Sequence, residues 1–190
     1  MPALTFSLLW AIYFRAVVDR AHHSQPEAPK PLSNSSRYRA VALIDRDGTL
    51  IEEKEYLSRP EEVALLPRAA RALKLMEEYG IARVVCTNQS GVARGMFGEE
   101  DVHRVHDHLA KLLAEEGTRW DAIYSSFSHP DSGNPRYRES LELRKPAPGM
   151  AREAIRDLGL EGLPVFSIGD RLSDVTFGRN AGGFGVLVKT

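Results

Sequence analysis

From residue 40 onward, short uninterrupted apolar runs alternate with segments of helical period through this 190-residue chain. Residues 40–44 (AVALI) are apolar at every position, as in a strand buried on both faces of a parallel sheet. Residues 67–79 then place Ala69, Ala70, Leu73, Leu75 and Met76 mostly at helical spacing, and Gly80 supplies a stop. Residues 81–86 (IARVVC) read as a second strand. Residues 99–116 read as a helix opened by acids and closed by Gly117. A third strand is expected over 121–127 (DAIYSSF), a helix over 148–158, a fourth strand over 165–168 (VFSI), a short helix over 172–180 and a fifth strand over 185–188 (GVLV). Strand–helix repetition requires crossover connections. It therefore predicts an α/β domain with a mostly parallel five-stranded sheet and helices on both faces. Ligands of such sheets bind beyond the carboxyl ends of the strands.

The hydrophobic share of 43% and the charged share of 27% suit a globular core. A formal net charge of -1 provides no basic field, so nucleic acid is not an expected partner. Cys86 is the lone cysteine. That excludes an intramolecular disulfide and a cysteine-based zinc site, and it fits a reducing cytoplasm. The apolar run over residues 3–14 is shorter than the roughly 18 residues a span requires. It also lacks the preceding basic residue of a secretory leader. Residues 22–38 are rich in Pro, Ser, Asn and His without periodicity. Residues 1–38 are thus expected to be an extension and linker, disordered or partly helical, with no stable membrane span; a short anchor or signal, and translated sequence upstream of the true start, stay open as readings. Residues 39–190 are expected to form the domain.

The expected strand ends carry the chemistry. The first runs into Asp45-Arg46-Asp47-Gly48-Thr49-Leu50. Asp45 would be ionised at neutral pH and able to attack phosphorus. Asp47 would be able to protonate a leaving oxygen and later deprotonate water. An Asp-Gly turn with solvated acids is the plain alternative. The second strand ends in Thr87-Asn88-Gln89-Ser90-Gly91, whose hydroxyl, amide and turn can donate to phosphate oxygens. Arg144-Lys145-Pro146 precedes the next helix, where a lysine can neutralise a transferring phosphoryl group. The fourth strand ends in Gly169-Asp170-Arg171-Leu172-Ser173-Asp174. Two acids there suit Mg²⁺, which takes one or two protein carboxylates plus water and phosphate, although aspartate also caps helices. Taken together, the four segments supply every part of a phosphoryl-transfer site.

In that order, DRDGTL, TNQSGVARG, RKP and GDRLSD resemble the four motifs of the haloacid dehalogenase-like (HAD) superfamily, across residues 39–190. The TNQSGVARGMF stretch is similar to the branch of D-glycero-D-manno-heptose 1,7-bisphosphate phosphatase and histidinol-phosphatase. The resemblance implies a three-layer Rossmann-like fold with a minimal cap. It implies a Mg²⁺-dependent phosphatase working through an aspartyl-phosphate on a small phosphorylated metabolite, either a sugar phosphate or bisphosphate or histidinol phosphate. Asp45 would be nucleophile and metal ligand. Asp47 would be general acid/base and a ligand through its carbonyl. Thr87 and Asn88 would hold phosphate, Lys145 would bridge nucleophile and phosphate, and Arg144 would touch substrate. Asp170 would ligate the metal, with Asp174 in its first or second shell.

The chain departs from that branch in two places. Its members usually carry a zinc loop of a Cys-x-His pair followed by Cys-x-Cys. Here Ser126, Ser128, Leu141 and Leu143 occupy that region with His129, so no zinc is expected. The loop over 130–143 is expected to order itself otherwise, with Leu141 and Leu143 packed inward. The branch also continues past the last strand, whereas this sequence ends at Thr190. An open sheet edge is therefore expected, with a monomer or weak homodimer. A catalytically silent phosphate-binding module and a phosphotransferase using the same intermediate stay open. His103, His106 and His108 are expected on a helix surface, Cys86 in the core, and Gly182, Gly183 and Gly185 in a tight turn.

Overall fold

The computed structural model describes residues 37–189. The expected extension over 1–38, its last two residues apart, lies outside them. Five strands form one sheet: β1 (Ala40–Ile44), β2 (Ile81–Asn88), β3 (Ala122–Ser126), β4 (Val165–Gly169) and β5 (Phe184–Leu187). Every pairing is parallel, in the order β3-β2-β1-β4-β5. The expected sheet is thus present, with β1 at its centre. Chain order reverses beside β1, which makes its carboxyl end the topological switch point where a ligand crevice opens.

Because β1 is covered on both faces, all five of its residues are buried. On one face Val41, Leu43, Ala82, Val84 and Cys86 form a core with Met150, Ala151, Ala154 and Phe177. The helices behind that core are α5 (Gly149–Asp157) and α6 (Leu172–Asn180). Toward the other face, α1 (Ala69–Glu78) packs on β2 and buries Leu73 and Met76. The long helix α3 (Glu99–Glu115) buries Val102, Val105, His106, Leu109 and Leu113 along a single stripe.

Two short helices escaped the periodicity: α2 (Ser90–Ala93) and α4 (Pro135–Glu139). Neither exceeds five residues, too short for a 3.6-residue repeat to register. The second lies inside the loop expected to be ordered without zinc. Asn134 caps it by accepting from the Arg136 N–H at 3.0 Å. A 3-10 turn, Leu141–Leu143, follows. Leu143 packs on the core, as expected, but Leu141 is exposed. The loop is held chiefly by polar contacts. Tyr137 donates to Glu99 at 2.8 Å, Ser132 to the Ala93 carbonyl at 3.0 Å, and Ser128 to the Ser140 carbonyl at 2.8 Å.

Gly183 and Gly185 fit β5 against its neighbours. A Cβ on Gly183 would lie 2.1 Å from the Val165 carbonyl oxygen, and one on Gly185 would lie 2.3 Å from the Val175 Cα. β5 is an edge strand whose Phe184 and Leu187 are exposed. Among the described residues, no helix is long and apolar enough to cross a membrane.

Candidate active site

Asp45 follows the last residue of β1, and its N–H donates to the Ile168 carbonyl of β4 at 2.8 Å. The backbone leaves the sheet at Gly48, with φ +69°. A Cβ there would sit 2.4 Å from Asp170 Oδ2. Glycine is required on both counts: the left-handed turn and the carboxylate immediately above it.

Lys145 is the charge centre of the site. It is 5% exposed, and its Nζ lies 2.6 Å from Asp45 Oδ1 and 2.7 Å from Asp174 Oδ1. Burial alone would push the ammonium toward neutrality, but the Asp45 and Asp174 carboxylates outweigh it and hold its pKa above the ordinary lysine value. Burial likewise pushes the Asp45 carboxyl up to about 6, against the pull of Lys145. Asn88 fixes the lysine backbone. Its amide nitrogen donates to the Lys145 carbonyl and its amide oxygen accepts the Lys145 N–H, both at 3.0 Å. The side chain expected to hold phosphate therefore spends both ends on placing Lys145.

Asp45, Asp170 and Asp174 bring carboxylate oxygens within 4.8 Å of one another. The Asp174 oxygens are already engaged, one by Lys145 and the other by the Arg171 N–H at 3.1 Å. Among the described residues, Asp170 Oδ1 is buried with no hydrogen-bond partner. A desolvated acceptor beside two other carboxylates is costly unless a cation accompanies it. This all-oxygen set suits a hard divalent ion such as Mg²⁺. Asp45 and Asp170 carry oxygens that could ligate such an ion, and Asp174 lies beside them.

Asp47 is held differently. Arg46 is 1% exposed and donates to it from Nε at 3.1 and 3.2 Å and from Nη2 at 2.9 Å. Gln89 Nε2 donates to Asp47 Oδ2 at 2.8 Å and to the Thr87 hydroxyl oxygen at 2.8 Å. The Thr87 hydroxyl points at Asp47 Oδ2 from 3.4 Å. The remaining Arg46 nitrogen, Nη1, lies 3.0 Å from His106 Nε2. Arginine can only donate, so His106 accepts there and carries its proton on Nδ1. Burial, then the Arg46 charge, lowers the His106 pKa to about 3, and the ring is neutral. His106 thus departs from the expected surface position, although its helix is the expected one.

Asp45, Asp47, Thr87, Gln89, Lys145 and Asp174 open onto a cleft of about 290 Å³, which Glu53, Tyr56, Phe97, Arg144 and Arg171 also line. Arg171 Nη2 donates to Glu53 Oε2 at 2.6 Å, joining the segment after β1 to the loop after β4. Arg144 donates to the Ser128 carbonyl at 3.0 Å. Arg46 and Gln89 lie within the motifs read from sequence, but their roles there depend on partners distant in the chain. The Glu53–Leu57 stretch has no residue pattern that marks it as a cleft wall.

A family model described as HAD-hydrolase-like matches residues 142–190. Over 156 residues the chain is 42% identical to the D-glycero-D-manno-heptose-1,7-bisphosphate 7-phosphatase of Chlorobaculum tepidum, covering 79% of this chain and 78% of that one. The chain belongs to the HAD-like phosphatases. As a member of that family it is a phosphoric monoester hydrolase. It is also 34% identical over 149 residues to D-glycero-beta-D-manno-heptose-1,7-bisphosphate 7-phosphatase of Yersinia pestis, covering 78% of this chain and 79% of the relative. Among solved structures, a HAD-like phosphatase from Mesorhizobium loti matches with a TM-score of 0.74 and 34% identity, covering 86% of this chain and 76% of that one. The D,D-heptose 1,7-bisphosphate phosphatase of B. bronchiseptica, solved with magnesium and phosphate, matches with a TM-score of 0.65 and 32% identity, covering 78% and 79% of the two chains.

Proposed function

We propose that this HAD-like phosphatase hydrolyses one phosphate of a sugar bisphosphate, D-glycero-D-manno-heptose 1,7-bisphosphate being the leading substrate, with Mg²⁺ and through an aspartyl-phosphate on Asp45. The observation that carries this reading is the position of Asp45 at the switch point, 2.6 Å from a buried lysine and grouped with Asp170. The names of the relatives support the substrate class.

An Asp45 oxygen attacks phosphorus while the bond from phosphorus to the sugar oxygen breaks. Asp47 gives a proton to that leaving oxygen, then takes one from the water that attacks the aspartyl-phosphate. Phosphate leaves and the Asp45 carboxylate is restored. Lys145 stays charged throughout and opposes the negative charge gathered on Asp45 and the phosphoryl oxygens. Thr87 lies beside the phosphoryl position, Asn88 keeps Lys145 in place, and Arg144 faces the remainder of the substrate. Asp45 and Asp170, with the Asp47 carbonyl, would hold Mg²⁺, which would supply positive charge for the phosphate oxygens.

Phosphate release should be measured from the heptose bisphosphate and from histidinol phosphate, with Mg²⁺ and with chelator. The bisphosphate should turn over at least tenfold faster, only with metal, and Asp45→Asn should abolish turnover in a folded protein. Undiminished activity of that variant excludes the mechanism. Preference for histidinol phosphate overturns the substrate.

A further inference from the structure

We propose that His106, acting through Arg46, is a positioning residue for the general acid Asp47. This inference rests on the acid/base role given to Asp47 above.

In the α3 stripe, Val102, Val105, Leu109 and Leu113 are fully buried, and His106 takes a position between them at 6% exposure. An apolar side chain would serve packing there without a polar atom to satisfy. The ring instead accepts from Arg46 Nη1 at 3.0 Å. Arg46 is itself buried and directs Nε and Nη2 to both oxygens of Asp47. Its guanidinium is planar, so fixing Nη1 on a rigid helix fixes the direction in which the other two nitrogens point. The ring and the guanidinium thus form a strut running from α3 to the carboxylate. Gln89 and Thr87 hold Asp47 Oδ2 from the direction of β2. A carboxylate braced on two sides keeps one orientation where it lines the cleft, and catalysis is sensitive to errors of about 1 Å in such a group.

A misaimed acid has a signature that a general loss of structure lacks. A sugar alkoxide needs a proton as it departs, whereas p-nitrophenolate leaves readily without one. The value of kcat/KM extends only to leaving-group departure, so it excludes the later step in which Asp47 acts as a base. Three variants, His106→Leu, His106→Gln and Asp47→Asn, should be assayed with Mg²⁺ on a sugar phosphate and on p-nitrophenyl phosphate.

His106→Leu is expected to lower kcat/KM for the sugar phosphate by about tenfold to a hundredfold. It should change kcat/KM for p-nitrophenyl phosphate less than about threefold, with inhibition by inorganic phosphate unchanged. In His106→Gln the amide oxygen can accept from Arg46 in place of Nε2, so this variant should recover most of the loss. Asp47→Asn should show the largest difference between the two substrates. If it does, and His106→Leu harms both substrates equally or neither, the inference is wrong. If Asp47→Asn shows no difference between substrates, the acid role itself fails.

Discussion

At the scale of single residues, the site is governed by how its two buried positive charges, Lys145 and Arg46, are divided among several carboxylates. Lys145 meets Asp45 and Asp174 but leaves Asp170 Oδ1 unpaired. The second cationic group, Arg46, serves Asp47 and His106 instead. The histidine has a consequence for acid stability. Its folded-state pKa of about 3 lies below the ordinary value of 6.5. The stabilisation from keeping the ring neutral is fully present above pH 6.5 and is lost as pH falls toward 3. Over that window His106 should contribute up to about 1.4 kcal/mol of lost stability per pH unit. Urea denaturation of the wild type and of His106→Gln at pH 7, 6, 5 and 4 measures it. The wild type should lose stability faster, and parallel curves would contradict the account. The sequence showed the carboxylates because each stands beside a strand end, and the lysine because it sits in the Arg-Lys-Pro segment just before a helix. It did not show that Arg46 and His106 touch, because they lie 60 residues apart and helical spacing alone put the histidine outside.

At the scale of elements, the strands and long helices were legible because burial imposes a period. β1 is apolar throughout since both faces are covered. The 128–143 loop was not legible, because its order comes from scattered polar contacts. Glu99, on the first turn of α3, accepts from Tyr137 and pairs with Arg136. The Arg136 pair is largely exposed on its arginine side and should contribute under about 1 kcal/mol. The Tyr137 bond is better shielded and ties α4 to the domain. Glu99→Ala should therefore leave global stability within about 1.5 kcal/mol of the wild type. It should also speed limited proteolysis between residues 130 and 143 severalfold, since local opening costs less than global unfolding. Cleavage at the wild-type rate would mean that the other loop contacts suffice.

At the scale of the whole molecule, α/β topology turns sequence-distant acids into one cluster. Asp45 follows β1, Asp170 and Asp174 follow β4, and β1 and β4 are adjacent. A divalent ion that binds this cluster binds only the folded state, so it should raise the melting temperature. At 100 times its dissociation constant the gain is about 2.7 kcal/mol. Calorimetry with and without Mg²⁺ measures this, and Asp170→Asn should remove most of the increment. An equal Mg²⁺ shift in that variant would place the ion elsewhere. Among the described residues, β3 and β5 are the edge strands of the sheet, and β5 exposes Phe184 and Leu187.

The Asp45–Lys145 contact joins residues 100 positions apart. Helices need no such closure and can form before it, because a contact between distant residues carries an added closure cost. Turnover therefore reports on completion: during renaturation, circular dichroism should recover first and hydrolysis afterwards, and a partly assembled intermediate should be helical yet inert.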